Sequence, residues 1–285
     1  MTQKSDIPKV SIGMPVFNGE MTIRDALDCL LAQTFTDYEL IISDNASTDN
    51  TKAICQEYVK KDTRIRYVRQ ESNLGAGSNF DFVHEQAKGE YFMWAAADDK
   101  WDARYIAILS EVLDVNPEVG LAFSDMYTEN LYTGDKFHSS CGYIVSSQKY
   151  KRYLYRLLNN SPSIFYGLYR KSILDSFDVV LDFDYSDIHM IHWFELNSSI
   201  KIVPLPLYIA GTKGERIPFS ISGNKISSDG LLRAERKLQS KHFGWFTSQF
   251  FCALLKFMYR RNDRQLNQKL ALQKAIQTGD YAENP

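Results

Sequence analysis

Asp98 and Asp99 are adjacent carboxylates that follow the apolar run Tyr91-Phe92-Met93-Trp94 and the small residues Ala96 and Ala97, and they precede Lys100-Trp101. Side by side at an effective dielectric near 20, two such charges repel by roughly 4 kcal/mol, and they would repel a diphosphate as well. A divalent cation reverses that sign. Mg2+ and Mn2+ take oxygen ligands, one or two carboxylates with substrate phosphates completing the set, so an acidic pair at a strand end suits a metal and diphosphate clamp. The same pair also serves as a solvated turn or a helix cap, and the two acids alone do not choose between these roles.

A second acidic group, Asp182, Asp184 and Asp187, leads into Ile188, Met190, Ile191 and Phe194. Asp187 falls where a helix would begin, a place at which the backbone dipole stabilises negative charge, so capping competes with chemistry there. His189 and His192 stand three apart beside it and could reach one zinc ion, yet no third ligand is fixed nearby, and hydrogen-bonded helix residues are the simpler account. Cys29, Cys55, Cys141 and Cys252 contain no Cys-x-x-Cys pair, which indicates neither a zinc knuckle nor a disulfide framework and suits a reducing compartment.

The elements that must position these groups follow from the hydrophobic pattern. Val10, Ile12 and Met14 alternate with small residues and stop at Pro15, which predicts a strand and a turn ending at Asn18-Gly19. Ile23, Ala26, Leu27, Leu30 and Leu31 recur at helical spacing. Leu40-Ile41-Ile42 predicts a second strand, closed by the cap-rich run Ser43 to Asp49. Ile65, Tyr67 and Val68 predict a third, Tyr91 to Trp94 a fourth, with a helix around Phe82, Val83 and Ala87 between them. Such alternation predicts an α/β fold with a mostly parallel sheet flanked by helices. Beyond it, Leu121-Ala122-Phe123 and Ser163 to Tyr169 read as strands, Arg170-Lys171 opens a helix, and the helix at Asp187 is read as continuing to Lys201-Ile202-Val203-Pro204.

Ligands of parallel sheets bind beyond the carboxyl ends of the strands, where Pro15 to Gly19, Asp44 to Asp49 and Asp98-Asp99 all fall. The loop Asn73 to Asn79 precedes a helix, and its glycines permit close backbone approach to a ligand. It lacks the spacing of a dinucleotide fingerprint or a Walker loop, which argues against a dehydrogenase or an NTPase. A net charge of −2 supplies no general pull towards nucleic acid. The segment Met1 to Lys9 is polar, and no stretch approaches the run of about 20 apolar residues needed to span a bilayer. A cytoplasmic location is expected. From Ser227 onward the pattern is helical, with Leu231, Leu238, Phe250, Phe251, Leu254, Leu255 and Met258 amid Lys256, Arg260, Arg261 and Arg264. Such a stripe packs on its own domain or on a second copy in a homo-oligomer, while basic residues beside aromatics also suit peripheral contact with the inner face of a membrane.

Taken together, the loops resemble glycosyltransferase family 2, inverting enzymes that use nucleotide-sugars on the Rossmann-like GT-A fold. The resemblance rests on Val10 to Gly19, on Ile41-Ile42-Ser43-Asp44-Asn45-Ala46-Ser47-Thr48-Asp49-Asn50-Thr51, on Asn73-Leu74-Gly75, and on Gly89-Glu90-Tyr91 ahead of the acidic pair. It spans about residues 8 to 215, which implies a GT-A domain over 1–215 and a helical C-terminal extension over 216–285. The resemblance implies that Pro15, Val16 and Phe17 hold the base and ribose, with Asp44 accepting from a pyrimidine imide N–H and Arg69 and Asn73 in the same pocket. It implies further that Ala97 and Asp98 contact the donor, that Asp98 and Asp99 hold Mn2+ or Mg2+, and that Asp187 is the base that deprotonates the acceptor, with Asp184 and Asp182 as substitutes. An aspartate at the base position favours uracil, so the implied donor is a UDP-sugar. The implied acceptor is a glycan or a lipid-linked sugar, as in surface polysaccharide assembly, and Tyr153, Tyr155, Tyr166 and Tyr169 either stack on it or pack in the core.

One position departs from the family pattern: Ala96 stands where an aspartate commonly opens the metal motif. That departure keeps a non-catalytic nucleotide-sugar-binding module open as an alternative. A sugar nucleotidyltransferase is a further alternative, but it requires a basic glycine-rich loop, and Met14 to Gly19 has no Lys or Arg.

Overall fold

The computed structural model of the chain describes residues 7–142, 146–159, 161–177, 186–212, 238 and 241–242. Two compact units divide the chain, Met1–Glu215 and Arg216–Pro285. Nearly all of the second lies outside the described residues, and with it the expected C-terminal helices; so do Asp182 and Asp184. Among the described residues no helix is long and apolar enough to cross a membrane.

The first unit begins with strand β1 (Val10–Val16), helix α1 (Ile23–Leu31), β2 (Tyr38–Asp44), α2 (Thr51–Lys61), β3 (Ile65–Arg69), α3 (Ala76–Glu85) and β4 (Tyr91–Trp94). β1 pairs in parallel with β2 and β4, and β2 with β3. Every residue of β1 is buried, as expected of a central strand covered on both faces. Helix α1 presents Ile23, Ala26, Leu27 and Leu30 to this sheet, the stripe its spacing predicts. Gly13 lets α3 approach β1: a side-chain carbon there would lie 2.6 Å from Val83 Cγ2.

After β4 come β5 (Lys100–Trp101), α4 (Tyr105–Val115), β6 (Val119–Asn130), β7 (Lys136–Ser139), α5 (Lys149–Leu158), β8 (Leu168–Arg170), α6 (Lys171–Leu174), α7 (Ser186–Asn197) and β9 (Ser199–Thr212). The sheet order is β3-β2-β1-β4-β8-β6-β9-β5, with β7 on β6. β8 runs antiparallel to both β4 and β6, and β9 runs parallel to β6 and antiparallel to β5. The expected parallel character therefore holds for the first half, and the second half is mixed.

Two expectations are corrected here. Residues 163–169 are not one strand: Pro162–Tyr166 form a 3-10 turn, consistent with a proline at its start, and only Leu168–Arg170 is extended. The helix from Asp187 does not continue to Pro204, because the chain turns at Ser198 into β9, where Ile200, Ile202 and Val203 pair with β6. Pro204 and Pro206 offer no ladder donor, and the β6 to β9 register slips beside them, between Ser124 and Met126.

Candidate active site

The loops after β1 and β2 are tied to each other by side chains that suit turns. Asn18, at φ 51°, donates its N–H to Ser47 Oγ at 2.9 Å and accepts on Oδ1 from the N–H of Thr48 at 2.8 Å. The Gly19 N–H donates to Thr51 Oγ1 at 2.8 Å and the Glu20 N–H to Asp49 Oδ2 at 3.0 Å. This bracing leaves Phe17 48% exposed at the strand end, available to a planar ligand. Pro15 and Val16, expected beside it, are buried strand residues.

Asp44 is wholly buried and engages both carboxylate oxygens. Oδ1 accepts from the Ser47 N–H at 2.7 Å, while Oδ2 accepts from the Tyr67 hydroxyl at 2.6 Å and from Arg69 Nη1 at 2.7 Å. Burial pushes its pKa up, but the bonds from Ser47, Tyr67 and Arg69 together outweigh burial and hold the carboxyl below its ordinary value. Arg69 also donates to the Ser47 carbonyl at 2.9 Å, and its side chain is 33% exposed. The guanidinium thus forms the outward layer over the carboxylate expected to read the base.

Asn45, 2% exposed, organises the loop that holds Asn73. Its Nδ2 donates to Asn73 Oδ1 at 3.0 Å and to the Gly75 carbonyl at 2.9 Å, and its Oδ1 accepts from the Leu74 N–H at 2.8 Å. Gly75 adopts φ 84°, a conformation that costs a side-chain-bearing residue dearly.

The acidic pair stands in the turn after β4, where the Ala95 N–H still donates to the Gly13 carbonyl at 2.8 Å. A side-chain carbon at Gly19 would come within 3.7 Å of Ala97 Cβ, so this turn adjoins the loop after β1. Asp98 is half-buried, but Asp99 is only 4% exposed and turned inward. Asp99 Oδ2 accepts from the Tyr208 hydroxyl, and Oδ1 accepts from the Gly211 N–H at 2.9 Å. Burial, then the charge of Asp98, push the Asp99 carboxyl up to about 8, with the bonds from Tyr208 and Gly211 opposing.

Asp187 is half-buried in the first turn of α7, its Oδ1 accepting from the Ile188 N–H at 2.8 Å. Burial holds its carboxyl above the ordinary 3.8, against the pull of backbone N–H groups and of His192. Burial, followed by the charges of Asp99, Asp98 and Asp187, drives the Tyr166 phenol above the ordinary range. Tyr153 and Tyr169 are fully buried packing residues. His192 packs edge-on to Tyr153 and His189 against Phe177, and among the described residues no group of three or more His, Cys, Asp or Glu could hold a metal. The zinc reading has no support. Half-buried Asp98 is the member of the pair that is not turned inward, and a carboxylate with phosphate oxygens is a donor set that fits a hard cation.

Asn45, Tyr208 and Gly211 were not singled out from the sequence. Asn45 lies inside the Ile41 to Thr51 motif; Tyr208 and Gly211 reach the acidic turn from β9, more than 100 positions away, which local spacing does not encode.

The family model described as Glycosyl transferase family 2 matches residues 11–177. The chain is 35% identical over 138 residues to an uncharacterized glycosyltransferase of Rickettsia typhi, covering 46% of this chain and 42% of that protein. It is 28% identical over 171 residues to the GalNAc(5)-diNAcBac-PP-undecaprenol beta-1,3-glucosyltransferase of Campylobacter jejuni, covering 60% of this chain and 54% of that one. The chain matches about half or less of the length of these relatives. Among solved structures, S. aureus TarS 1-349 in complex with UDP aligns with a TM-score of 0.64 at 18% identity, over 87% of this chain and 70% of that one. The mannosyltransferase PcManGT of Pyrobaculum calidifontis, in complex with GDP-Man and Mn2+, aligns at 0.53 and 15% identity, over 95% and 81%. These structures share the fold, which is of the GT-A kind expected from the sequence.

Proposed function

Because this chain belongs to glycosyl transferase family 2, we propose that it moves a sugar from a nucleotide-sugar, a UDP-sugar in our reading, to an acceptor hydroxyl with inversion. What supports the proposal is that Phe17, the Asp44 and Arg69 pair and Asp98 lie at or after the carboxyl ends of the parallel strands β1 to β4, with the loops after β1 and β2 tied to each other. Asp187, in the first turn of α7, is assigned to the acceptor side of that site. Phe17 stacks on the base. Arg69, held by Asp44 and the Ser47 carbonyl, keeps N–H donors for the base carbonyls, and Asn73 closes the pocket on its Asn45 support. The UDP and UDP-GlcNAc complexes of TarS support a uridine donor.

Asp98 would hold Mn2+ or Mg2+ together with the donor phosphates, and the ion when bound supplies charge neutralisation for the departing diphosphate. Asp187 accepts the proton of the incoming hydroxyl. Burial raises its pKa and makes it a stronger base than a solvated aspartate. Attack opposite the diphosphate then inverts the anomeric centre. An undecaprenol-linked sugar is one acceptor class consistent with the Campylobacter relative. In our reading the transfer chemistry belongs to 1–215, and 216–285 would meet an acceptor-bearing membrane or a second copy.

Screening nucleotide-sugars for hydrolysis, and then for transfer to a glycan panel, tests the reading. The expected result is metal-stimulated release of UDP that Asp187→Asn abolishes while UDP binding persists. Turnover of that variant near the wild-type rate overturns the role given to Asp187, and UDP binding without any turnover favours a binding module.

A further inference from the structure

We propose that Asp99 is not a second metal ligand but, with Tyr208 and Gly211 of β9, forms a strap that positions Asp98. The inference rests on the donor reading above and deepens it. Both Asp99 oxygens point into the protein, one to the Tyr208 hydroxyl and one to the Gly211 N–H. Tyr208 is fully buried, and its ring packs against Phe123 at 5.3 Å, Trp101 at 6.1 Å and Tyr166 at 6.3 Å. That packing fixes where its hydroxyl can be. For Asp99 to turn towards a cation, the buried phenol and a strand N–H would both lose their acceptor, a cost a solvated ligand would not incur.

The strap reaches Asp98 through the backbone. Gly211 packs so closely on the Asp98 carbonyl that a side-chain carbon at 211 would overlap the carbonyl oxygen. Gly211 therefore touches Asp99 through its N–H and Asp98 through its Cα. Between them, two contacts from one strand fix both peptides of the acidic turn that carries half-buried Asp98. Ala96 contributes no carboxylate on the other side. The acidic turn thus brings one ligand, Asp98, and the nucleotide and water would supply others.

Ligation and positioning make opposite predictions for two conservative variants. In Asp99→Asn the amide can still accept from Gly211 and donate to the Tyr208 oxygen, so the strap survives while a carboxyl ligand is lost. Tyr208→Phe keeps the Asp99 carboxyl and removes one tie. Mn2+ bound by the full-length protein would be followed by electron paramagnetic resonance, with Mn2+ alone and with UDP added, alongside kcat and KM for the best donor. Positioning predicts weak Mn2+ binding alone and tight binding with UDP. It also predicts that Asp99→Asn stays within about threefold of wild type, that Tyr208→Phe weakens Mn2+ about tenfold, and that Asp98→Asn weakens it more than either. Loss in Asp99→Asn equal to that in Asp98→Asn, with Tyr208→Phe unaffected, overturns the strap and leaves the donor site standing. Wild-type protein that retains no Mn2+ with UDP, or Asp98→Asn that binds normally, overturns the donor reading and the strap together. Thermal melting of each variant separates misfolding from loss of ligand, and Asp99→Glu serves as the second variant if Asp99→Asn fails to fold.

Discussion

Arg69 lies across Asp44, with Nη1 2.7 Å from Oδ2, so the carboxylate at the end of β2 and its arginine act as one unit. Removing the carboxylate strands more than one partner. Asp44→Ala leaves the Tyr67 hydroxyl and the Ser47 N–H without their acceptor, and the expected loss is about 3 kcal/mol in urea denaturation. Arg69→Ala instead leaves Asp44 its other two bonds, so its main effect is expected on the KM for the donor.

The pH dependence of Asp187 separates catalysis from stability. A base must be deprotonated, and this one titrates above 3.8 in the native state, so kcat/KM rises with pH through a limb displaced upward from an ordinary aspartate. Stability runs the other way. A raised native pKa means that the folded state binds the proton more tightly than the unfolded state, so the contribution is full below 3.8 and is lost as pH rises through the native value. Asp187→Asn should therefore be inactive yet at least as stable as wild type at pH 7, an advantage that disappears below about pH 4. Melting curves at the two pH values check the sign.

Gly211→Ala places a methyl group against the Asp98 carbonyl. The turn must shift, and we expect donor turnover to fall at least tenfold, for a stability loss of about 1 to 3 kcal/mol. Gly13→Ala, which crowds Val83 at 2.6 Å instead, should cost similar stability with the donor KM little changed. Parallel melts and kinetics on the pair distinguish a site effect from a packing effect.

Asn45→Ala removes three hydrogen bonds that hold residues 73 to 75. The core is untouched, so the expected signature is a KM for the donor raised about tenfold with kcat less affected. Isothermal titration with UDP gives the same quantity without turnover; unchanged affinity would remove the Asn73 loop from the pocket.

Much of this architecture is legible in the chain. β1, β2, β3, β4 and α1 follow from their short apolar runs and, for α1, its helical stripe, and the strand ends and the loops after them carry Phe17, Asp44 and Asp98. Where the reading failed, the deciding contacts were distant. Ser163 to Tyr166 is apolar enough for a strand but is turned by Pro162, and Lys201 to Pro204 is drawn into β9 by pairing with β6. The inward turn of Asp99 was equally invisible, since neighbouring acids look alike until the groups opposite them are known. The same holds for Asp44, whose arginine lies 25 positions further on.

The two residues that grip Asp99 follow it by 109 and 112 positions. A ribosome therefore completes the whole parallel half of the sheet, base pocket included, well before Gly211 leaves the exit tunnel. Until then the acidic turn lacks both of these ties and keeps only bonds such as that of the Ala95 N–H to the Gly13 carbonyl. On the proposed function, a growing polypeptide able to hold a nucleotide would not yet turn over its sugar donor, and competence would arrive late in synthesis, with β9.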